Sequence, residues 1–302
     1  MDQDIKSISI KDSNYPKLLK EIKDPPKVLY YLGEILPRTE TESLVRGKSK
    51  EDCFAIVGTR RYSSYGKQVT LEIAGDLADT DLTIISGLAP GIDTFSHQAV
   101  VEKKKRTIAV LGTGLDKKSI YPRTNLDLAK KIIETGGCLI SEYPPGTRGT
   151  KFTFPQRNRI ISGLSLGVLI IEAKEKSGSL ITANYSFLQK RKVFAIPGSI
   201  YSSNSRGPHI LIKKGAKLVE NANDILEELN ISSSKLGSKE IKGENPEENS
   251  ILGILKEESL DVDRIIEKTK LPAAITVRTL AILEIKGKVK NLGNNIYAIS
   301  NR

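Results

Sequence analysis

The segment from Lys151 to Arg159 mixes cations with aromatic rings and is the most distinctive local pattern in the chain. Within nine residues it carries Lys151, Phe152, Phe154, Arg157, Asn158 and Arg159. Cations neutralise phosphates, and an exposed phenyl ring stacks on an unpaired base. A core position for Phe154 agrees equally well with the residue types, and for Phe152 the core position is favoured. The pattern therefore indicates a polyanion site and leaves open which ring is exposed.

Glycine-rich turns follow the ends of several short apolar runs. They are Gly58 to Arg60 after the first run, Ser86 to Gly91 after the second, and Ser177 with Gly178 after the fifth. Ligands of open parallel sheets bind outside the carboxyl ends of the strands, where glycine lets backbone N–H groups approach an anion. These turns predict one edge that holds a chain of phosphates or a single nucleotide.

Two nucleotide-binding motifs do not fit these turns. Seven residues separate Gly58 from Gly66, which is too many for a Walker loop, and Gln68 stands where that loop has a magnesium-binding Ser or Thr. A dinucleotide fingerprint begins at Gly112, but Lys117 occupies the position of its third glycine. The sequence thus argues against ATP hydrolysis and NAD binding, and no cofactor is expected.

The runs that precede these turns are short, β-branched and apolar on both faces. They are Phe54–Val57, Leu82–Ile85, Thr107–Leu111, Cys138–Ile140, Val168–Ile171 and Val193–Ile196. Such strands belong in a parallel sheet that is covered on both faces. Helical patterns at 69–78, 94–103 and 126–134 lie between them, and a further helix is expected over 160–164. The expected fold class is α/β, with a doubly wound, mostly parallel sheet.

Shifts in composition divide the chain into four parts. These are an irregular N-terminal arm (1–50), the sheet domain (51–230), a linker (231–248) and a winged-helix-like domain (249–302). Within the arm, 28–32 is expected to be an edge strand and 40–52 a polar loop. The linker is rich in Ser, Gly, Lys and Glu. The last part shows three short helical patterns and a hairpin, which is typical of a winged helix.

The composition narrows the possible function classes. The 302 residues carry 47 Lys and Arg against 36 Asp and Glu, a net charge of +11 that favours a polyanionic partner. No apolar run has the length of about 18 residues that spans a bilayer, and Asp2, Asp4 and Lys6 stand where a signal peptide needs apolar residues. Two cysteines and two histidines exclude a disulfide framework and a metal centre rich in Cys or His. A cytoplasmic protein without a membrane partner is expected.

Seven motifs together resemble the DprA family, also called Smf, of DNA-processing proteins. They are Ala55–Arg60, Ile85–Asp93, Thr107–Gly112, Phe154–Ile161, Ser177–Thr182, Ala195–Gly198 and Gly207–Ala216. They occur in the family's order, and the winged-helix pattern follows them. The sequence departs from the family in two places. Ser96 precedes His97 where the family has Ala, and residues 1–14 leave no room for the N-terminal extension of many members.

The resemblance implies an extended Rossmann-like core that binds single-stranded DNA without catalytic activity. It also implies a homodimer that protects incoming DNA and loads the recombinase RecA onto it in natural transformation and homologous recombination. By position it assigns DNA contacts to Arg60, Ser86, Gly87, Gly91, Lys151, Phe154, Arg157, Asn158, Arg159, Ser177 and Gly178. It assigns dimer contacts to His209, Ile212 and Leu218.

Two other function classes remain open. Glu172, after the fifth strand, could cleave an N-glycosidic bond of a nucleotide together with Arg60, although a structural acceptor for helix N–H groups is favoured. The C-terminal domain could read duplex sequence as a transcription factor. Its last helix, however, offers few base-reading side chains, namely Thr276, Arg278 and Lys286. His97 is expected to be a hydrogen-bonded structural residue.

Overall fold

The computed structural model describes residues 4–35, 52–80, 82–231 and 242–300. The polar loop expected over 40–52 lies outside these residues except for its last position. The chain divides into two compact units, 1–236 and 237–302, and the division falls within the segment expected to be the linker. Within the described ranges, no helix is long and apolar enough to cross a membrane.

The larger unit is built on a nine-stranded sheet. Its strands are β1 (Lys6–Ser9), β2 (Val28–Gly33), β3 (Cys53–Val57), β4 (Thr83–Ser86), β5 (Thr107–Leu111), β6 (Cys138–Ser141), β7 (Gly167–Ile170), β8 (Lys192–Ala195) and β9 (Lys217–Leu218). The spatial order is β1-β2-β6-β5-β4-β3-β7-β8-β9. Strands β3 to β9 are mutually parallel. Strand β2 runs antiparallel to β6, and β1 runs antiparallel to β2. All six predicted strands are present, and the α/β fold class is confirmed.

Helices cover both faces of this sheet. They are α1 (Lys17–Lys20), α2 (Ser64–Ala78), α3 (Ile92–Glu102), α4 (Leu126–Glu134), α5 (Thr153–Leu164), α6 (Gly178–Leu188), α7 (Arg206–Lys213) and α8 (Ala222–Glu228). Every residue of β3 and β5 is buried as a result. Alternate residues of β3 enter different cores, with Ala55 and Val57 on one face and Phe54 and Ile56 on the other. This two-sided burial explains why the strands read as continuous apolar runs.

The first 35 residues correct two expectations. Residues 6–9 and 28–33 are strands of the sheet rather than parts of an irregular arm, because β1 pairs with β2 and β2 pairs with β6. The second strand is therefore an inner strand, and β1 lies at the edge. The connection between them is fixed by the buried Tyr15, whose hydroxyl donates to the Pro26 carbonyl at 2.7 Å.

The strand order places a reversal of the chain between β3 and β7. From β3 the chain proceeds through β4 and β5 to β6, and it then returns to β7 on the other side of β3. The loops that follow these two neighbouring strands diverge, which opens a crevice where doubly wound folds bind ligands. The loops that follow β3 to β8, together with the first turn of α5, are named the rim.

The smaller unit contains three helices and a small sheet. Its elements are α9 (Pro246–Leu255), β10 (Leu260–Asp261), α10 (Val262–Thr269), α11 (Ala273–Ile285), β11 (Val289–Asn291) and β12 (Ile296–Ile299). The strands form an antiparallel sheet in the order β10-β12-β11. The helices pack around a core that includes Ile251, Ile265 and Leu283. The predicted winged helix is confirmed.

Candidate nucleic-acid interface

The rim carries many exposed cations. They include Arg60, Arg61, Lys117, Lys118, Arg148, Lys151, Lys174 and Lys176. Most acids of the same loops are withdrawn from solvent: Asp93 and Glu172 are buried, and Glu142 forms an ion pair with Arg159. Glu175 is exposed among the cations. The accessible charge of the rim is therefore predominantly positive, which attracts an anionic polymer.

Three side chains from different loops meet on the rim. The guanidinium of Arg60 lies over the Phe154 ring, 5.7 Å from its centroid. The Tyr121 ring centroid is 5.6 Å from that of Phe154, with the two planes at 48°. The far end of the Phe154 ring abuts Gly149, where a Cβ would lie 2.5 Å from Cζ. Arg60, Tyr121 and Phe154 are named the aromatic cluster. Its central ring is held on several sides and is half-buried.

Phe152 corrects an expectation, because its side chain is 70% exposed instead of lying in the core. Lys151 Nζ lies 5.2 Å from its ring centroid. The cause is the start of α5 at Thr153, which makes Phe152 the N-cap residue. The helix was expected to begin only at Ile160, so the residues from Phe154 onward are helical rather than part of a loop.

Arg157 points inward from α5 and ties rim loops together beneath the surface. It is 4% exposed. Its Nη1 donates to the Gly87 carbonyl at 2.7 Å and also to the Val110 carbonyl, and its Nε donates to Asn158 Oδ1 at 3.1 Å. These bonds join α5 to the turn after β4 and to β5. The resemblance assigned Arg157 to a DNA contact, whereas the structure buries its guanidinium beneath the rim loops.

Asp93 is the buried acid near Arg157. Its Oδ2 accepts hydrogen bonds from the N–H groups of Gly87 at 3.1 Å and Ala89 at 3.4 Å. Burial raises the pKa of the Asp93 carboxyl, and the charge of Arg157 opposes this rise. Burial likewise lowers the pKa of Arg157 to about 10, against the attraction of Asp93. Each charge therefore offsets part of the cost of burying the other.

Polar groups at the end of β4 and in the turn after it form hydrogen bonds within the protein. The Ser86 hydroxyl is buried and donates to the carbonyl of Ile56 at 2.6 Å. Gly87 leaves room for the guanidinium beneath it, since a Cβ there would lie 2.5 Å from Arg157 Nη2. Gly91 has a φ of +87°, and a Cβ there would lie 2.5 Å from a carbonyl oxygen of the turn after β3. These residues shape the rim.

The remaining predicted DNA contacts divide into buried and accessible groups. Asn158 donates to the Gly178 carbonyl at 3.2 Å, and Arg159 forms an ion pair with Glu142 at 2.7 Å. Ser177 is half-buried and caps α6, while Gly178 is exposed beside it. The predicted contacts whose side chains or backbone reach solvent at the rim are thus Arg60, Lys151, Phe154, Ser177 and Gly178.

Glu172 is a hydrogen-bond acceptor at the start of α2. It is buried, and its carboxylate accepts the Ser63 hydroxyl at 2.6 Å and the Ser63 N–H at 2.9 Å. Asn204 Nδ2 lies 3.4 Å away. Gly66 packs against the carboxylate, where a Cβ would lie 2.3 Å from Oε2. This geometry is that of the structural acceptor favoured from the sequence.

His97 lies wholly in the interior, between α3 and the sheet. The Thr107 hydroxyl donates to the Ile84 carbonyl at 2.7 Å, so it accepts from His97 Nδ1–H, 2.9 Å away. Nε2 is buried without a hydrogen-bond partner in the described part of the chain. Burial, assisted by the charge of Arg157, lowers the pKa of His97 to about 3 from 6.5. The ring is thus neutral throughout the physiological range.

Replacing His97 with Gln is expected to reduce the acid sensitivity of the fold. In the wild type, His97 of the unfolded state binds a proton below pH 6.5, whereas His97 of the folded state stays neutral down to about pH 3. As the pH is lowered from 6.5 to about 3, the free energy of unfolding therefore falls by about 1.4 kcal/mol per pH unit. Urea unfolding at pH 7 and pH 5 should show a smaller loss for His97→Gln than for the wild type. Equal losses would contradict the buried neutral ring.

Comparison with known proteins places this architecture in a family. A family model described as DNA recombination-mediator protein A matches residues 6–230, and one described as DprA winged helix domain matches residues 239–295. The chain belongs to the DprA/Smf family. DNA processing protein DprA of Bacillus subtilis is 45% identical over 228 residues, covering 76% of this chain and 72% of that protein. Protein Smf of Escherichia coli is 38% identical over 281 residues, covering 90% and 72%.

Solved structures of DprA proteins share the fold. The X-ray structure of the Streptococcus pneumoniae protein aligns with a TM-score of 0.65 at 41% identity and covers 75% of both chains. A Helicobacter pylori structure, described as revealing that protein's single-stranded DNA-binding mode, aligns with a TM-score of 0.62 at 31% identity. It covers 75% of this chain and 95% of the other.

The residues that DprA/Smf resemblance assigned to a dimer lie on α7 and β9. His209 and Ile212 are half-buried, and Leu218 is 41% exposed on the last strand of the sheet. His209 Nε2 lies 3.0 Å from the Gly198 carbonyl, which links α7 to the loop after β8. That loop adds Ile200, 70% exposed, and Tyr201, 93% exposed. The sequence reading missed these two exposed apolar residues.

The candidate base-reading residues in the winged-helix unit of this DprA/Smf chain offer little charge that is free to read a duplex. Thr276 is buried, and Lys286 forms ion pairs with Glu244 at 2.8 Å and Glu248 at 2.7 Å. Of the three base-reading candidates, two on α11 and Lys286 at its C-cap, Arg278 is the exposed one that forms no such ion pair in the described part of the chain. The expectation of little sequence-specific recognition by this helix agrees with that arrangement.

Tyr121 is a further rim residue that sequence reasoning overlooked. It is 49% exposed and belongs to the loop after β5. The only signal was its type, an aromatic residue in a loop at the carboxyl end of a predicted strand. Its contact with Phe154 joins residues 33 positions apart (154 − 121), so it depends on the tertiary fold.

Proposed function

We propose that this chain is a non-enzymatic mediator that binds single-stranded DNA along the rim. It protects incoming DNA and loads RecA onto it in natural transformation and homologous recombination, in the cytoplasm. The observation that carries this proposal is the aromatic cluster, in which Arg60 and the partly exposed Phe154 ring stand together among exposed cations. A cation and a ring side by side fit the two repeating parts of a polynucleotide, its phosphate and its base.

Unpaired bases suit this surface better than a duplex. In a duplex the faces of the bases are stacked on one another and hidden, and the backbone is what remains accessible. A base of a single strand can stack on Phe154 while its phosphate meets Arg60. Lys151, at the start of the same helix, adds a second cation within reach of the backbone.

The family supports the wider role. Its model carries the description of a recombination mediator, and the H. pylori relative is described by its single-stranded DNA-binding mode. A mediator hands a bound strand to a recombinase, and RecA is the recombinase that the resemblance implies. The winged helix, in which Arg278 is exposed on α11, contributes weak duplex or protein contact in this proposal.

The proposed homodimer uses the surface of α7, β9 and the loop after β8. Leu218 lies on a strand that pairs on one side with β8, and exposed Ile200 and Tyr201 supply apolar area nearby in sequence to α7. Exposed apolar residues clustered on one face favour association between subunits. His209 and Ile212 complete the proposed interface.

Replacing Arg60 with Ala tests the proposed function. Loss of one phosphate contact is expected to weaken binding similarly for every single-stranded sequence and to lower the salt slope by about 0.7. Fluorescence anisotropy of labelled oligonucleotides between low and moderate salt measures both quantities. The same titrations with a duplex of equal length should give weaker binding by the wild type.

Lys105→Ala is the matched control for Arg60→Ala. Lys105 is exposed in the loop before β5, at the opposite end of the strands from the rim, and its removal changes the net charge by the same amount. Its salt slope and affinity should match the wild type. An unchanged slope for Arg60→Ala would show that Arg60 contacts no phosphate. An equal loss for Lys105→Ala would mean that net charge rather than the rim binds DNA.

A further inference from the structure

We propose that Tyr121 is a second base-stacking residue, which takes the base next to the one on Phe154. This inference rests on the proposed binding of single-stranded DNA and adds a contact to it. Tyr121 is 49% exposed, and its ring touches Phe154 on the rim. Each of the two rings therefore presents surface to solvent at the same place.

The separation of the two rings decides how many bases they take. One base sandwiched between two parallel rings needs roughly 6.8 Å, twice the stacking rise of ~3.4 Å. The centroids of Tyr121 and Phe154 are 5.6 Å apart and their planes are inclined at 48°. That geometry leaves no slot for a single base between them. The rings are neighbouring platforms, and successive bases of one strand stack on successive aromatic side chains in such sites.

The charge around Tyr121 fits a polynucleotide backbone. Lys117 and Lys118 lie in its own loop, and Arg148 lies in the loop after β6, all three exposed. Cations on this side would neutralise the phosphate that follows the Phe154 base, so the strand would run from Arg60 past Phe154 towards β6. The Arg60 guanidinium covers part of the Phe154 ring. The Tyr121 ring contacts the same Phe154 ring.

The Tyr121 ring is also preorganised. It belongs to a segment between the buried Ile120 and the buried Pro122, and its ring leans on Phe154. A ring that is held before binding loses little conformational freedom when a base stacks on it. Replacement by Ala is therefore expected to weaken binding to oligothymidylate about 5- to 150-fold, the effect of one stacked base.

A tryptophan reporter separates base contact from phosphate contact at this position. The chain contains no Trp, so Tyr121→Trp introduces a single indole whose fluorescence is quenched when a base stacks on it. Quenching is expected with oligothymidylate and not with an abasic strand of the same length and charge. Leu188→Trp, at the exposed end of α6 away from the rim, is the control and should respond to neither.

A double-mutant cycle excludes a merely supporting role. If Tyr121 stacks its own base, then Tyr121→Ala and Phe154→Ala together should weaken binding clearly more than Phe154→Ala alone. Because the two rings are in contact, the combined effect need not equal the product of the two single effects. A double variant no weaker than Phe154→Ala alone would show that Tyr121 acts only by propping that ring, and would overturn the proposal. Urea unfolding of each variant confirms that it is folded.

The outcomes also separate this proposal from the proposed function. Tyr121→Trp could bind oligothymidylate tightly by anisotropy and yet show no quenching, or equal quenching with the abasic strand. That result would contradict the base contact of Tyr121 and would leave the proposed DNA binding unaffected. Failure of the wild type itself to bind oligothymidylate removes the proposed function and this inference with it.

Discussion

Replacing Arg157 with Leu is expected to lower the free energy of unfolding by about 3–5 kcal/mol, the typical cost of removing one partner of a buried charge pair. The change would leave the carbonyls of Gly87 and Val110 without their donor. It would also remove the larger of the two cationic charges, Arg157 and Arg60, that oppose the rise in the pKa of the buried Asp93. Urea unfolding at pH 7 measures the loss.

Two further variants sharpen the Arg157 experiment. Arg148→Ala removes an exposed arginine of the rim and should change stability by less than about 0.5 kcal/mol, as surface substitutions do. Arg157→Lys keeps the charge without the planar fork that reaches two carbonyls, so its loss should be intermediate. A loss below about 1 kcal/mol for Arg157→Leu would show that the guanidinium does not hold the rim loops together.

Replacing Phe154 with Ala is expected to weaken single-stranded DNA binding about 5- to 150-fold, because stacking on one base contributes about 1–3 kcal/mol. Stacking releases no counterions, so the salt slope should stay near the wild-type value. Anisotropy titrations at several salt concentrations separate affinity from slope. This pattern is the opposite of the one expected for Arg60→Ala.

Phe154→Leu is the control for volume. Leucine fills much of the space beside Gly149 but has no aromatic face, so it should preserve folding and still lose most of the stacking contribution. Recovery of wild-type affinity in Phe154→Leu would indicate that the ring supports the rim by packing. A salt slope reduced as much as in Arg60→Ala would assign the ring a backbone role.

The parallel strands were predictable because strands buried on both faces consist of continuous runs of apolar residues. Five buried residues in a row at β3 and again at β5 leave an unmistakable apolar signature. The strand β1 has no such signature, since Lys6 and Ser7 are exposed and its residues pair with residues of β2 that lie 19 to 25 positions later (28 − 9 to 31 − 6). Its place at the sheet edge follows from long-range pairing that local patterns do not encode.

The arginines of α5 illustrate what residue type alone cannot tell. A guanidinium suits a phosphate and a pair of carbonyl groups equally well, because both offer oxygen acceptors to its planar fork. The position of Gly87 decides between them, since a glycine there leaves space for the Arg157 side chain to lie underneath. That juxtaposition joins residues 70 positions apart, so it becomes visible only in the folded chain.

The two phenylalanines of the same segment show how one boundary decides exposure. The start of α5 at Thr153 leaves Phe152 at the helix end, 70% exposed, and puts Phe154 against the glycines of neighbouring loops. The sequence pattern predicted that the helix begins at Ile160, seven residues too late (160 − 153). The ends of helices are harder to locate than their interiors. The aromatic and cationic character of the site was nevertheless predictable.

The antiparallel pairing of β2 with β6 has a consequence for shortened forms of the protein. A chain that begins at β3 would present the full length of β6 as a bare edge, with N–H and C=O groups that Tyr30 to Gly33 normally satisfy. Such edges recruit strands from other molecules, so the truncated protein should accumulate as insoluble aggregates. Arg159 would at the same time lose Asp24 as a counter-ion. The two amino-terminal strands thus protect the protein from edge-to-edge association between copies of the chain.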